Sequence, residues 1–104
     1  MITTTTMTTM TTNNPPTKSA IITVYGRVQG VGFRFYTNKK ANELHISGYV
    51  QNKPNGTVYI EAEGQETELL TFIDWCNIGP QWARVSKVET QFVPLANHKG
   101  FKVK

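Results

Sequence analysis

After residue 19 the sequence switches repeatedly between strand-like and helix-like periodicity, and the order of the switches leaves few possible folds. Apolar and polar residues alternate in some runs, as in half-buried strands, and recur at three- and four-residue steps in others, as in helices. In chain order the predicted elements are a strand (20–28), a helix from residue 33, two strands (46–52 and 57–64), a helix (65–77), a strand (83–93) and a short extra strand (100–104). This β-α-β-β-α-β order predicts an α+β fold of the ferredoxin-like type, a sandwich in which two helices cover one face of an antiparallel sheet.

Local turn chemistry supports these boundaries. Asn55-Gly56 lies between two alternating runs and predicts a hairpin, because both residues tolerate positive φ. Gly79-Pro80 ends the second helix. The alternation of the run 83–93 slips near Ser86, which predicts a β-bulge.

The first 19 residues differ from the rest in composition. They are rich in threonine, carry Lys18 as their one charge, and have neither the apolar run nor the basic start of a signal peptide. Because they contain too few apolar groups to offset the entropy of ordering, we expect residues 1–19 to be a flexible tail and residues 20–104 to be one domain. No run approaches the roughly 18 apolar residues of a membrane span, so we expect no membrane partner.

Cys76 is the only cysteine of the chain, which excludes an internal disulfide and fits a reducing cytoplasm. It lies on the apolar side of the second predicted helix and lacks the C-x5-R pattern of a cysteine phosphatase, so we expect a structural residue. Trp75 and Trp82 flank the end of the same helix and are expected to cap the core.

The segment "GRVQGVGFRF" (26–35) joins the first strand to the first helix. Such a junction leaves several backbone N–H groups without helical partners at the positive end of the helix dipole, an arrangement that binds anions. Gly30 and Gly32 let the backbone approach an anion closely, and the guanidinium of Arg34 can bind two oxygens at once. The pattern is neither a Walker loop nor a G-x-G-x-x-G fingerprint. From these residues alone, a phosphate cradle and a glycine-assisted turn with an exposed arginine remain equally open.

The charge pattern favours an anionic partner for the same part of the chain. Between residues 25 and 55 there are five basic residues and one acid, Glu43, whereas residues 56–80 contain five acids and no base. A basic face attracts small anions or phosphate-bearing partners. A solvated basic face without a partner is the alternative.

"GRVQGVGFR" followed by "GYVQNKPNGTVYIEAEG" resembles the paired signature of acylphosphatases, small ferredoxin-like enzymes that hydrolyse carboxyl phosphates. The match runs from about residue 25 to residue 64, and the element order up to residue 104 agrees. The resemblance implies that Arg34 binds the substrate and that Asn52, 18 residues later, positions the attacking water. It also implies a phosphate loop over 26–33, and we assign substrate binding through backbone amides to Gln29, Gly30, Val31, Gly32 and Phe33.

The sequence departs from this family's pattern at two positions. His45 stands where the family often has glycine at the end of the first helix, so we expect a left-handed backbone there. Tyr49 stands where a tryptophan is usual. The first departure concerns local stability, and the second is a tolerable exchange of aromatic residues.

An acylphosphatase of this kind needs no metal and no cofactor, because an acyl phosphate is already an activated anhydride and catalysis consists of positioning and charge stabilisation. We therefore expect an acyl phosphate as the substrate and inorganic phosphate as both product and competitive inhibitor. We further expect a cytoplasmic monomer with no nucleic-acid partner.

Two other functions fit parts of the sequence. "QGVGFRF" is similar to an aromatic motif of RNA-recognition domains, but that motif belongs on a central strand, whereas here it straddles a turn and turns Phe33 toward the core. A non-catalytic acylphosphatase-like module, as found at the front of large hydrogenase-maturation carbamoyltransferases, is the other alternative. The chain ends at Lys104 without a zinc-finger or transferase sequence, which favours the free-standing enzyme.

The remaining titratable residues show no catalytic pattern. His45 and His98 are far apart and lack metal-ligand spacing. Glu61 and Glu63 alternate with Ile60 and Ala62 along a strand, which predicts that both carboxylates face solvent.

Overall fold

The computed structural model describes residues 15–104. Its elements are, in chain order, β1 (Thr17–Arg27), α1 (Phe33–Glu43), β2 (Ser47–Asn52), β3 (Val58–Gln65), α2 (Glu66–Ile78), β4 (Arg84–Val93) and β5 (Phe101–Val103). The predicted order of strands and helices is confirmed, and so is the ferredoxin-like α+β class.

The sheet has the strand order β4-β1-β3-β2-β5. Strand β1 pairs antiparallel with both β3 and β4, and β2 pairs antiparallel with β3. The short β5 pairs with β2 in parallel, so the sheet is mixed and the prediction of a wholly antiparallel sheet is wrong for this strand. Hairpin-connected neighbours must run antiparallel, but β5 reaches the far edge of the sheet through a crossover from β4 and escapes this constraint.

Strand β1 begins three residues before its predicted start. Thr17 pairs with Gln65, and Ser19 pairs with Glu63 and is buried. Backbone pairing with the long β3 needs no apolar alternation, which is why the sequence pattern missed these residues. The predicted tail therefore overlaps the strand at residues 17–19, and its residues 1–14 lie outside the part of the chain that the structure describes.

The core lies between the sheet and its two helices. Side chains from the central strands meet side chains from α1 and α2, and the largest that are fully buried are Phe33, Phe72, Ile22, Ile60, Leu69, Val24, Val28, Val50 and Val58. Burying an aliphatic or aromatic side chain of this size contributes about 1.5–3 kcal/mol. Phe33, the first residue of α1, belongs to this core, so the start of the helix is held against the sheet.

Cys76 is a core residue, as predicted. Its side chain is fully buried on α2, and burial raises the pKa of its thiol. Trp75 packs against Phe33 with ring centroids 5.6 Å apart, whereas Trp82 is 70% exposed. The expectation that both tryptophans cap the core is therefore wrong for Trp82, which lies in the turn after α2.

Glu63 is buried, although the sequence predicts that it faces solvent. Its carboxylate lies on the sheet face opposite the helices and accepts backbone N–H groups from Ala96 at 2.8 Å and from Asn97 at 3.2 Å. The segment between β4 and β5 crosses this face from one edge of the sheet to the other. Strand alternation identified the correct face of the sheet but not the chain that covers it.

Glu61 is also partly covered and joins a polar cluster on this face. Tyr59 and Tyr49 donate hydroxyl hydrogen bonds to it at 2.7 and 2.9 Å, and the His98 ring lies 3.1 Å away. Burial pushes the pKa of Glu61 upward, but the hydrogen bonds from Tyr59, Tyr49 and His98 outweigh it and lower the pKa of this carboxyl. The stability that Glu61 contributes is therefore present above the unfolded-state pKa and is lost as the pH falls through the lower folded-state value.

The predicted bulge at Ser86 is confirmed. Tyr25 of β1 pairs with Lys87 and the next residue, Gly26, pairs with Val85, so Ser86 has no partner on β1. A Cβ atom on Gly26 would lie 2.1 Å from the backbone oxygen of Arg84, so this close approach of two strands requires glycine. The bulge lies immediately before the glycine-rich turn.

The end of α1 has the left-handed residue that the sequence predicts. His45 has a φ of 57°. The N–H of Ile46 donates to the Ala41 carbonyl at 2.8 Å, and the N–H of His45 donates to the Asn42 carbonyl at 3.4 Å, which are the paired bonds of a Schellman motif. The side chain of His45 is exposed.

Replacing His45 by glycine is expected to raise the free energy of unfolding by about 1 kcal/mol, because glycine adopts positive φ without the steric cost of a Cβ atom. Urea denaturation monitored by circular dichroism measures the change. His45→Ala is the matched control, since it removes the imidazole but keeps the Cβ atom, and it should bring no such gain. A lower midpoint for His45→Gly would mean that the imidazole makes a stabilising contact.

Candidate active site

The turn between β1 and α1 adopts the left-handed conformations that its glycines permit. Gly30 has a φ of 75° and Gly32 a φ of 81°. Gly32 is the N-cap of α1, and no side chain caps the first N–H groups of the helix. No acidic residue occupies the first turn, so the positive end of the helix dipole is not offset locally.

Gln29 ties this turn to the β2–β3 hairpin. Its side-chain amide donates to the backbone oxygens of Lys53 at 2.8 Å and Thr57 at 2.9 Å. The hairpin is closed in turn by the N–H of Lys53, which donates to the same Thr57 oxygen at 2.9 Å. These bonds hold the end of β2, and with it Asn52, against the glycine-rich turn.

A cleft of about 360 Å³ opens beside the turn. It is lined by Val28, Gly30, Gly32, Phe33, Arg34, Phe35, Asn38, Asn52 and Val103. Most of the predicted site residues therefore meet here, including Arg34 and Asn52, which are far apart in sequence. Gln29 and Val31 do not line this cleft, and the role assigned to their backbone amides stays a prediction.

Arg34 projects from the first turn of α1 into the cleft. Its Nη1 donates to the backbone oxygen of Lys104 at 2.9 Å, and the N–H of Lys104 donates to the Val50 oxygen at 2.8 Å. None of the ion pairs formed within residues 15–104 involves Arg34. Its guanidinium is thus held at one nitrogen, and its other donors remain for an anion.

Asn52 is the last residue of β2 and contributes a buried polar atom. Its Oδ1 is inaccessible to solvent, and no group among residues 15–104 donates a hydrogen bond to it. A buried acceptor without a donor costs about 1–3 kcal/mol.

Three residues of the cleft were not predicted from the sequence: Asn38, Phe35 and Val103. Asn38 follows Arg34 by four residues, and i,i+4 spacing places two side chains on the same face of a helix, so this residue was predictable. Phe35 is 63% exposed, and its position beside Arg34 gave no indication of a role. Val103 comes from β5, and no local pattern predicts to which edge a crossover delivers a three-residue strand.

Neither a metal centre nor a membrane span is evident within residues 15–104. No three His, Cys, Asp or Glu side chains of this part of the chain are grouped so that they would hold a metal ion. None of its helices is long and apolar enough to cross a membrane.

The chain is thus an α+β domain with a ferredoxin-like sheet, in which a glycine-rich turn, an arginine and an asparagine surround one cleft. The sequence model of the acylphosphatase family matches residues 20–103. The chain is 53% identical over 66 residues to an acylphosphatase of Mannheimia succiniciproducens, a match that covers 64% of this chain and 73% of that protein. The chain therefore belongs to the acylphosphatase family, and it is a hydrolase that cleaves acyl phosphates.

Solved structures agree with this assignment. An acylphosphatase from Coxiella burnetii has a TM-score of 0.83 and 33% identity, covering 89% of this chain and 96% of that one. Full-length HypF in its phosphate- and nucleotide-bound form has a TM-score of 0.80 and 30% identity, covering 86% of this chain but only 12% of HypF. The same domain therefore also occurs inside a much larger protein.

Proposed function

We propose that the chain hydrolyses acyl phosphates by in-line attack of a water molecule held by Asn52 on a phosphoryl group held by Arg34 and the backbone amides of residues 29–33. The oxygen of the water attacks phosphorus, and the bond between phosphorus and the acyl oxygen breaks. The carboxylate leaves with the bonding electron pair, and the water protons pass to the phosphate product and to solvent.

Charge stabilisation supplies most of the catalysis in this scheme. The transferring phosphoryl group carries negative charge on three oxygens in a loose transition state. The guanidinium of Arg34 can bind two of these oxygens, and the uncapped N–H groups at the start of α1 are the other available donors. The carboxylate is a good leaving group and needs little protonation, so the scheme requires no titrating acid.

The observation that carries the proposal is the meeting of Arg34 and Asn52 in one cleft. An asparagine amide is neutral at every working pH, so it orients a water molecule and does not take its proton. The side-chain N–H groups of Asn52 are the donors proposed to orient this water beside the phosphoryl group.

The protein is expected to release phosphate from benzoyl phosphate at an undiminished rate when excess chelator is present, because its charge stabilisation comes from Arg34 and backbone amides. Phosphate release with and without EDTA measures this. Activity that disappears with chelator and returns with a divalent ion would contradict the scheme. Absence of turnover above buffer would favour the non-catalytic module.

The pH profile of kcat/KM is expected to be nearly flat around neutrality, because arginine stays protonated and asparagine does not titrate. Initial rates between about pH 5.5 and 8.5, corrected for spontaneous hydrolysis, test this. A loss of rate centred near pH 6.5, where histidines ordinarily titrate, would implicate His45 or His98.

The proposal also includes the product, the compartment, the oligomeric state and the partners of the enzyme. Inorganic phosphate binds in the Arg34 cleft as product and competitive inhibitor, since it presents the same oxygens as the substrate. The enzyme acts as a cytoplasmic monomer without a nucleic-acid or membrane partner. The single cysteine is free and buried in the core, which supports a reducing compartment such as the cytoplasm. The burial of Phe33 argues against its use as an RNA-stacking residue.

A further inference from the structure

A second cleft adjoins the Arg34 cleft at Gly30. It has a volume of about 700 Å³ and is lined by Arg27, Gly30, Val31, Gln81, Trp82 and Arg84. Gly30 lines both clefts, and a Cβ atom on this residue would have no other atom within 4 Å. Gly30 itself therefore puts no side chain between the two clefts.

Two arginines oppose one another at the edge of this second cleft. Arg27 on β1 and Arg84 on β4 are direct partners in the antiparallel register, and both are exposed. Like charges directly opposite one another on neighbouring strands destabilise a sheet. An anion bound between the two guanidinium groups would turn this repulsion into attraction.

No acidic side chain of the described residues neutralises this pair. Neither arginine takes part in an ion pair or a side-chain hydrogen bond within residues 15–104. Glu89, an acid on the same strand as Arg84, accepts a hydrogen bond from Tyr25 at 2.7 Å and lies 3.5 Å from Lys87. The two positive charges next to the second cleft are therefore available to a ligand.

Trp82 supplies an apolar wall to the same cleft. Its side chain is 70% exposed, so a large flat apolar surface faces solvent here. A flat indole beside two arginines suits a ligand with an apolar body and a negatively charged end, because the body packs on the ring and the charge reaches the guanidinium groups.

We propose that the second cleft binds a second anionic group of the substrate, so that the preferred substrates are acyl phosphates whose acyl part itself carries a carboxylate or a phosphate. This inference rests on the proposed function, since the reacting phosphoryl group must occupy the Arg34 cleft. The acyl part then passes over Gly30, packs on Trp82 and directs its negative end to Arg27 and Arg84. Carboxylate and phosphate ends share the chemistry that the arginines recognise.

Synthetic benzoyl phosphates with different para substituents test this subsite. The probes are 4-carboxybenzoyl phosphate, 4-(phosphonomethyl)benzoyl phosphate and the neutral 4-carbamoylbenzoyl phosphate. The measured quantity is the ratio of kcat/KM for each anionic probe to kcat/KM for the neutral one, compared between wild type and variants so that intrinsic reactivity cancels.

In Arg84→Gln the ratio is expected to fall about threefold, and in Arg84→Glu to fall further, as for partly exposed charge pairs. The anionic probe whose ratio falls more in the variants carries the preferred negative end, carboxylate or phosphate.

Lys87→Gln is the matched control. It removes one positive charge from the same exposed strand but outside the second cleft, so the ratio should stay at its wild-type value. An equal fall in Lys87→Gln, or ratios that no Arg84 variant changes, would overturn the proposal. Loss of single-stranded RNA binding in Arg84→Gln with unchanged ratios would overturn it as well, in favour of a nucleic-acid surface. A failure of the proposed function is distinct, because the wild-type protein would then hydrolyse none of the probes, unsubstituted benzoyl phosphate included.

Discussion

Arg34→Ala should lose affinity for inorganic phosphate and turnover together. The guanidinium is proposed to contact the phosphoryl oxygens both in the bound substrate and in the transition state, so its removal weakens both complexes. A hydrogen bond to a charged group contributes about 1.5–3 kcal/mol, which corresponds to a loss of phosphate affinity on the order of 10- to 100-fold. The loss in kcat/KM should be larger, on the order of a thousandfold, because charge on the oxygens is stabilised most in the transition state. Calorimetry with phosphate and initial rates with benzoyl phosphate measure the two losses.

Arg34→Lys should recover little of this activity. An ammonium group cannot reproduce the planar fork that binds two oxygens, nor can it both donate to the Lys104 backbone oxygen and span the phosphoryl group. Lys39→Ala is the control, because Lys39 is exposed on the same helix but does not line the cleft, and its removal tests the effect of net charge alone. Near-complete rescue by lysine, or an equal loss in Lys39→Ala, would show that Arg34 acts only as a general positive charge.

The sequence predicts the architecture of this domain well because its local signals agree with one another. Alternation, helical spacing and the turn residues all define the β-α-β-β-α-β order, and the slip at Ser86 even locates a bulge. The left-handed backbone at His45 was instead implied by the family resemblance, because glycine is usual at this helix end, and the Schellman motif confirms it. Each of these features is decided by a few residues that are neighbours in sequence.

What the sequence did not predict depends on contacts between distant segments. The burial of Glu63 follows from the crossover between β4 and β5, and the exposure of Trp82 follows from the direction in which the chain leaves α2. The bonds from Gln29 to the β2–β3 hairpin and the arrival of Val103 at the cleft have the same origin. The meeting of Arg34 and Asn52 was implied by family resemblance, and the residues alone left a phosphate cradle and a simple turn equally open.

Asn52→Ala should lower turnover by a factor on the order of a hundred or more while phosphate still binds with nearly wild-type affinity. The side chain is proposed to hold the attacking water and not the phosphoryl oxygens, so its loss removes an interaction that the product complex does not need. The buried Oδ1 also determines how this substitution should affect the stability of the protein. Because alanine removes an acceptor that has no donor among residues 15–104, the substitution should cost little stability, and the melting temperature should change by no more than a few degrees.

The comparison of the two variants separates binding from water positioning. Gln51→Ala is the control for Asn52→Ala, since Gln51 precedes it on β2, its side chain belongs to the opposite sheet face, and it does not line the cleft. Phosphate titrations of Arg34→Ala, Asn52→Ala and Gln51→Ala under one set of conditions give the result. If Asn52→Ala loses phosphate as severely as Arg34→Ala, the amide contacts the phosphoryl group and the assigned roles are wrong. If it keeps full turnover, the attacking water is held by another group of the cleft, and Asn38, which lies one helical turn from Arg34, is the residue to replace next.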